Sequence, residues 1–372
     1  MKLIAVVKLL PTLEQAAVLQ RTLETANAAC TTISQSAWQT QTFKQFDIHH
    51  LSYADTRTAF GLAAQMAVRC VAKVADAYKL DRASQRTFQP HGAIAYDDRI
   101  LSWAMPDRSV SIWTLDGRMR IPFVCGPRQW DLLQSRRGET DLALVRGHWY
   151  LYATCEIAAP PPADMDGVLG VDLGIVNLAT DSDGERHTGQ QVEQVRQRYQ
   201  RRRDRLQRVG TRSAKRRLKQ LAGKQRRFQN NTNHRISKQL VAKAQPGTLW
   251  VTRAIAVEDL TGIRQRARVR GSAQRARHSN WAFRQLREFV AYKAKRAGVV
   301  VVAVDPRNTS RTCNACGFCA PGNRRDQAHF RCLQCGIARG ADENAACTIR
   351  DRAVVNRPMA SDLRVQAQAH QL

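Results

Sequence analysis

The chain has 372 residues, with 59 Lys and Arg against 31 Asp and Glu, for a formal net charge of +28. A surplus that large opposes compaction unless a polyanion neutralises it, so nucleic acid is the first partner to consider. The 43% apolar content excludes wholesale disorder. Lys8 ends the apolar run Leu3–Val7 too soon for a signal peptide, and the longest such run, Val299–Val304, is far short of a membrane span.

The first half opens with a strand over Lys2–Leu10. Thr12 and Gln15 then form a capping box, and the apolar periodicity predicts a helix to about Ala29. A second amphipathic helix fits Phe60–Tyr78, with Leu62, Met66, Val68, Val71 and Val74 mostly on one face. From Phe88 the pattern changes to short alternating runs, among them Val110–Leu115 and His148–Thr154, separated by turn signals such as Asp116-Gly117. This predicts an antiparallel sheet or barrel built from 1–10 and 87–157, with a helical insertion over 11–86. Three prolines, Pro160 to Pro162, mark a linker over 158–166.

The charge divides at that linker. Residues 1–166 hold 18 basic and 16 acidic side chains, and the remaining 41 and 15 lie beyond. Past the linker, Val168–Leu173 reads as a buried strand carrying Asp172, followed by a turn at Gly174 and a second strand. Two helices follow, Tyr199–Arg208 and Arg212–Phe228; from Arg196 to Lys243 there are 18 basic residues and one acid, Asp204. A merely solvated face mixes signs, so a stripe like this is expected to track phosphates without reading bases. The candidates are Arg201, Arg202, Arg203 and Arg205 on the first helix, with Arg212, Lys215, Arg216, Arg217, Lys219, Lys224, Arg226 and Arg227 on the second. Trp250–Val257 predicts a strand delivering Glu258, and the amphipathic stretch from Trp281 predicts a helix packed on the sheet. Asp342 sits in the first turn of a final helix, where an acid suits the dipole. A flexible tail is expected over 353–372.

An acid in an apolar strand is costly unless something uses its charge. Asp172, Glu258 and Asp342 arrive in the order strand, strand, helix N-terminus, which resembles an RNase H-like nuclease of the RuvC type. Hydrolysis of a phosphodiester is well served by two Mg²⁺ about 4 Å apart held by such carboxylates. Asp172 is expected to bridge both ions, with Glu258 and Asp342 anchoring one side each; Asp259 and Glu343 are the adjacent alternatives, expected to point away. Cys313, Cys316, Cys332 and Cys335 form two CxxCG knuckles, a pattern suited to structural Zn²⁺, with a redox dithiol as the weaker alternative. The knuckle glycines are expected to allow tight turns whose amides face sulfur, with Arg311, Arg324, Arg325 and Arg331 at hand to offset the cluster's negative charge. Cys319 lacks the glycine and is left out, while Cys30, Cys70, Cys125, Cys155 and Cys347 read as small core residues.

Taken together, Gly170-Val-Asp-Leu-Gly-Ile-Val-Asn-Leu-Ala-Thr, Thr232-Asn-His-Arg-Ile-Ser-Lys, Val257-Glu-Asp-Leu-Thr-Gly-Ile, Val304-Asp-Pro-Arg-Asn-Thr-Ser, the cysteine knuckles and Ala341-Asp-Glu-Asn-Ala-Ala resemble the TnpB family, densely over 167–350. Leu9-Leu-Pro-Thr-Leu-Glu-Gln and the helix near Gln65-Met-Ala-Val-Arg extend the likeness loosely to the first half. The resemblance implies a multidomain α+β protein: an oligonucleotide-binding-type β-barrel (wedge) with a helical recognition insertion, then an RNase H-like (RuvC) α/β domain over 167–304 and 341–352. A zinc-binding, target-nucleic-acid-binding module over 305–340 is inserted in it. It further implies an RNA-guided DNA endonuclease whose transposon-derived guide RNA pairs with double-stranded target DNA beside a short adjacent motif. A cytoplasmic, nucleoid-associated protein acting as one monomer per guide RNA is expected. Arg339-Gly340 and Glu343 depart from the expected approach to Asp342. A catalytically inactive RNA-guided repressor is the competing function, but it would have lost one of the acids. A transposition accessory protein, or a transposase joining strands, is the third; the chain has no tyrosine-plus-paired-histidine signature for strand transfer.

Overall fold

The computed structural model describes residues 1–163, 165–245, 252–259 and 283–355. The chain forms two compact units, 1–158 and 159–372. The first contains β1 (Lys2–Leu9), α1 (Leu13–Gln39), α2 (Gln45–Phe60), α3 (Ala64–Leu80), β2 (Ile94–Tyr96), β3 (Leu101–Ala104), β4 (Ser109–Thr114), β5 (Gly117–Val124), α4 (Pro127–Leu133), β6 (Arg136–Val145) and β7 (His148–Glu156).

Its seven strands form a nearly closed, barrel-like antiparallel sheet in the order β2-β6-β7-β1-β5-β4-β3. Thr12 and Gln15 make the full capping box at the start of α1. That helix runs well past Ala29, because Cys30, Ile33 and Ala37 continue its buried stripe and packing outweighs the β-branched Thr31 and Thr32. Helix α2 was not expected. It buries Ile48, Ser52 and Thr56, a stripe mostly polar and therefore silent in apolar periodicity. Gly61, at φ 61°, ends it, so α3 starts at Ala64 rather than Phe60. One continuous core joins the sheet to α1 and α3 through residues such as Val7, Leu23, Val71, Ile112 and Leu151. Of the five cysteines read as core residues, four are buried and Cys125 is only half-buried.

The second unit contains β8 (Gly167–Asp172), β9 (Asn177–Asp181), β10 (Arg186–Thr188), α5 (Gln190–Val209), α6 (Arg212–Ala244), β11 (Arg253–Glu258), α7 (Phe283–Arg296), β12 (Val301–Val304), β13 (His329–Arg331), β14 (Ala338–Gly340) and α8 (Ala341–Val355). The five-stranded sheet runs β10-β9-β8-β11-β12, with β8, β11 and β12 parallel and β9 and β10 antiparallel. Strand period two gives this sheet two different faces. Leu169, Val171, Ile255 and Val257 pack with Ile236, Leu240, Leu286 and Val290 of α6 and α7. Val168, Ala254 and Ala256 pack with Ile349 and Ala353 of α8.

The α8 face is built from small residues for a steric reason. A Cβ on Gly170 would stand 2.1 Å from the Ala346 carbonyl oxygen and 2.6 Å from the Arg350 amide nitrogen. Glycine at 170 therefore lets α8 lie against β8. Helix α8 extends through Val355 with Ala353 buried, so 353–355 belong to the helix and not to the expected tail; 356–372 lie outside the described residues. Trp250 and Trp281 also lie outside them. Among the described residues no helix is long and apolar enough to cross a membrane.

Candidate functional site

Parallel pairing sets Val171 beside Val257, so the next residues, Asp172 and Glu258, end adjacent strands on the same side. That side is the one α8 covers, and Asp342 is in the first turn of α8. The three acids come together there. Burial pushes the Asp172 carboxyl up to about 8, and the nearby charges of Glu258 and Asp342 add to the shift; Arg324 and the Leu173 amide oppose it. Burial also raises Glu258, against a bond from Thr309 and the charges of Arg352 and Arg324.

Several supporting groups were not legible in the sequence. Asn177 Nδ2 donates to Asp342 Oδ2 at 2.9 Å, and the buried Thr309 hydroxyl donates to Glu258 Oε1. Arg324 places its guanidinium 3.6 Å from Asp342 Oδ1. Expected beside the sulfur cluster, it thus has one of the acids as a partner. The adjacent acids point elsewhere: Asp259 pairs with Arg287 at 2.8 Å and Glu343 with Arg186 at 3.1 Å. Gly340 and Glu343 belong to one arrangement, because a Cβ on Gly340 would stand 2.6 Å from the Arg186 guanidinium that Glu343 binds.

The four cysteines form a second centre. Their sulfurs all lie within 4.8 Å of one another, with Cys313 and Cys335 at 3.7 Å and Cys316 and Cys332 at 3.5 Å. A tetrahedron with bonds near 2.3 Å has sulfurs about 3.8 Å apart, so the donor set fits Zn²⁺. The carboxylate oxygens of the three acids make no such tight group among the described residues. Each knuckle is the same device: the Gly317 amide bonds the Cys313 carbonyl and the Gly336 amide bonds the Cys332 carbonyl, both glycines at positive φ. The glycine amides close the turns on carbonyls, and a turn amide does face sulfur: the Cys335 amide donates to Cys332 Sγ at 3.4 Å. Cys319 stands outside the cluster. Fully buried Asn344, two residues past Asp342, accepts from the Asn314 amide and donates to the Thr312 carbonyl, which fastens the knuckles to α8.

Helices α5 and α6 carry the basic stripe. Helix α5 buries no residue, and the first half of α6 buries only Ala214 and Leu221. Of the twelve candidate cations, eleven are exposed, while Arg203 is half-buried and bonds Gln225 at 2.9 Å. None of the twelve forms an ion pair among the described residues.

Residues 151–263 match the family described as OrfB_IS605, probable transposase, and residues 283–349 match the Cas12f1-like TNB domain. A TnpB-like protein of Methanocaldococcus jannaschii is 32% identical over 32% of this chain and 41% of its own. The matched regions of this chain are similar to TnpB-family and Cas12f1-like proteins. The CRISPR-associated endodeoxyribonuclease Cas12f1 of Sulfoacidibacillus thermotolerans is 32% identical over 55% of this chain and 50% of its own length. A putative RNA-guided DNA endonuclease of Escherichia coli, InsQ, is 29% identical over 55% and 53%. The chain thus spans about half the length, or less, of the curated relatives it matches. In structure it is similar to Cas12f1 in a complex with single-guide RNA and target DNA, at a TM-score of 0.61 and 14% identity, covering 91% of this chain and 83% of that one.

Proposed function

We propose that this chain is an RNA-guided DNA endonuclease with RuvC-type chemistry at Asp172, Glu258 and Asp342. The observation that carries the reading is the convergence of these acids on one end of the sheet, with Asp172 pushed up to about 8 by burial and the other two charges. Half-buried carboxylates that oppose one another are a poor structural device and a good cation site. Oxygen donors suit Mg²⁺; when bound, two such ions activate water and stabilise the leaving oxygen. Asp172 would contact both, and Glu258 and Asp342 one each. Thr309 and Asn177 hold the outer carboxylates by neutral bonds, and Arg324 brings a positive charge for the phosphate being cut.

The four cysteines would hold a structural Zn²⁺ whose module, 305–340, contacts target nucleic acid. The exposed cations of α5 and α6 would lie along the phosphates of the guide–target duplex, recognised by shape and backbone. The barrel unit with its helical insertion would hold the transposon-derived guide RNA and read the motif adjacent to the target, one protein per guide, in the cytoplasm. The similarity to proteins named RNA-guided or CRISPR-associated endonucleases supports this reading.

The test uses the full chain purified with its co-expressed RNA, which is sequenced to define the target. Asp172→Ala is expected to abolish Mg²⁺-dependent cleavage, by about 10³-fold or more, while guide-directed binding in a gel-shift assay stays within about twofold. Cleavage unchanged by that substitution would overturn the reading.

A further inference from the structure

The two outer carboxylates each carry a neutral side-chain donor, Asn177 on Asp342 and Thr309 on Glu258. Asp172 accepts only the Leu173 amide among the described residues. Directly opposite Asp172 in the antiparallel β8–β9 pair stands Thr180. Opposed residues of such a pair project to the same face, with Cβ atoms about 4.5–5.5 Å apart. The neighbouring Asp181 confirms the facing by alternation, since it turns the other way to meet Lys243 of α6 at 2.6 Å. Thr180 is 1% exposed, and its hydroxyl is a buried polar atom with no hydrogen-bond partner among the described residues.

A buried hydroxyl without a partner is rare in a native protein and calls for an explanation. Valine has the same shape and would fill this place without the unpaired group. A functional state that uses the hydroxyl accounts for its position. We propose that Thr180 is a positioning residue for Asp172, its hydroxyl donating to the Asp172 carboxylate when that group is ionised and ligates a cation. This inference rests on the cation-binding reading of the three acids. A change between staggered χ1 wells is enough to re-aim Oγ1. The donor is neutral, as Asn177 and Thr309 are, so it orients an oxygen of Asp172 without competing with a cation for the carboxylate's charge.

Thr180→Val, Thr180→Ser and Asp172→Ala are compared in the full chain with its RNA. One readout is the Mg²⁺ concentration for half-maximal cleavage. The other is the rise in melting temperature on adding Mn²⁺ without DNA, which needs no turnover. Thr180→Val is expected to raise the half-maximal Mg²⁺ by tenfold or more and to lose most of the Mn²⁺-induced rise, whereas Thr180→Ser keeps both near the parent values. Parent-like behaviour of Thr180→Val in both readouts overturns the inference. So does a Thr180→Ser variant as defective as Thr180→Val, because then shape and not the hydroxyl matters. If Thr180→Val shows no cooperative melting, Thr180→Ala against Thr180→Ser decides by the same criteria. Full cleavage by Asp172→Ala would instead remove the underlying reading of the site, an outcome distinct from failure at Thr180 alone.

Discussion

The four-cysteine module and the carboxylate site differ in where their geometry comes from. Each knuckle is closed within five residues, by a carbonyl-to-glycine-amide bond and a positive φ at Gly317 or Gly336. The carboxylates come from β8, β11 and α8, and only the register of two parallel strands and the close approach of a helix bring them together. Local spacing therefore specifies the sulfur cluster, and tertiary packing specifies the acid cluster. The two meet at Asn344, whose side chain ties Thr312 and Asn314 to the helix that carries Asp342.

Removing the local centre is expected to have the largest effect. Structural Zn²⁺ sites in small modules contribute about 10–16 kcal/mol, so Cys313→Ser should unfold 305–340 and abolish cleavage. Limited proteolysis should then cut within that stretch while the sheet stays protected; an uncut module would refute the structural role.

Next in size is a change that breaks only the assembled centre. Gly170→Ala places a methyl 2.1 Å from the Ala346 carbonyl oxygen. Overpacking of this kind costs about 1–3 kcal/mol, and the displaced helix carries Asp342 with it. Cleavage should fall while zinc content, measured by atomic emission, stays at one per chain.

The pH response sharpens the comparison further. An acid raised to about 8 keeps its proton in the folded chain when the unfolded chain has lost it, so the folded form binds more protons between about 4 and 8. Without added divalent ions, stability should be full below pH 4 and fall as pH rises toward 8. Asp172→Asn should flatten that slope and stabilise the protein at pH 8 on the order of 2 kcal/mol, as read by calorimetry. A slope unchanged in the variant would place the titration elsewhere.

The smallest effect belongs to the surface. Arg216→Gln should weaken nucleic-acid binding modestly and evenly across sequences, lowering the slope of log affinity against log salt by about one.

What could be read from the sequence follows the same division. The cysteine spacing, the capping box at Thr12 and the strand carrying Asp172 are all local signals. The partners of the acids are not, because Asn177, Thr309 and Arg324 reach Asp342 or Glu258 across 165, 51 and 18 residues of chain. Their one trace lies in the motifs quoted for the family, where Asn177 and Thr309 stand as unexplained polar positions. Helix α2 was missed because its buried stripe, Ile48, Ser52 and Thr56, is mostly hydroxyl-bearing and reads as surface.

The seat that Gly170 makes for the last helix also has a consequence in time. Asp172 and Asp342 are 170 positions apart, and at translation rates of about 5–20 residues per second the second follows the first by roughly 10–30 s. By the second half of that interval the growing chain has the basic helices and two of the acids, yet lacks the helix that completes the cluster. On the proposed function, a ribosome-bound intermediate would present its phosphate-binding surface before its cutting site is complete, so the order of the sequence itself would delay cleavage until synthesis is nearly done.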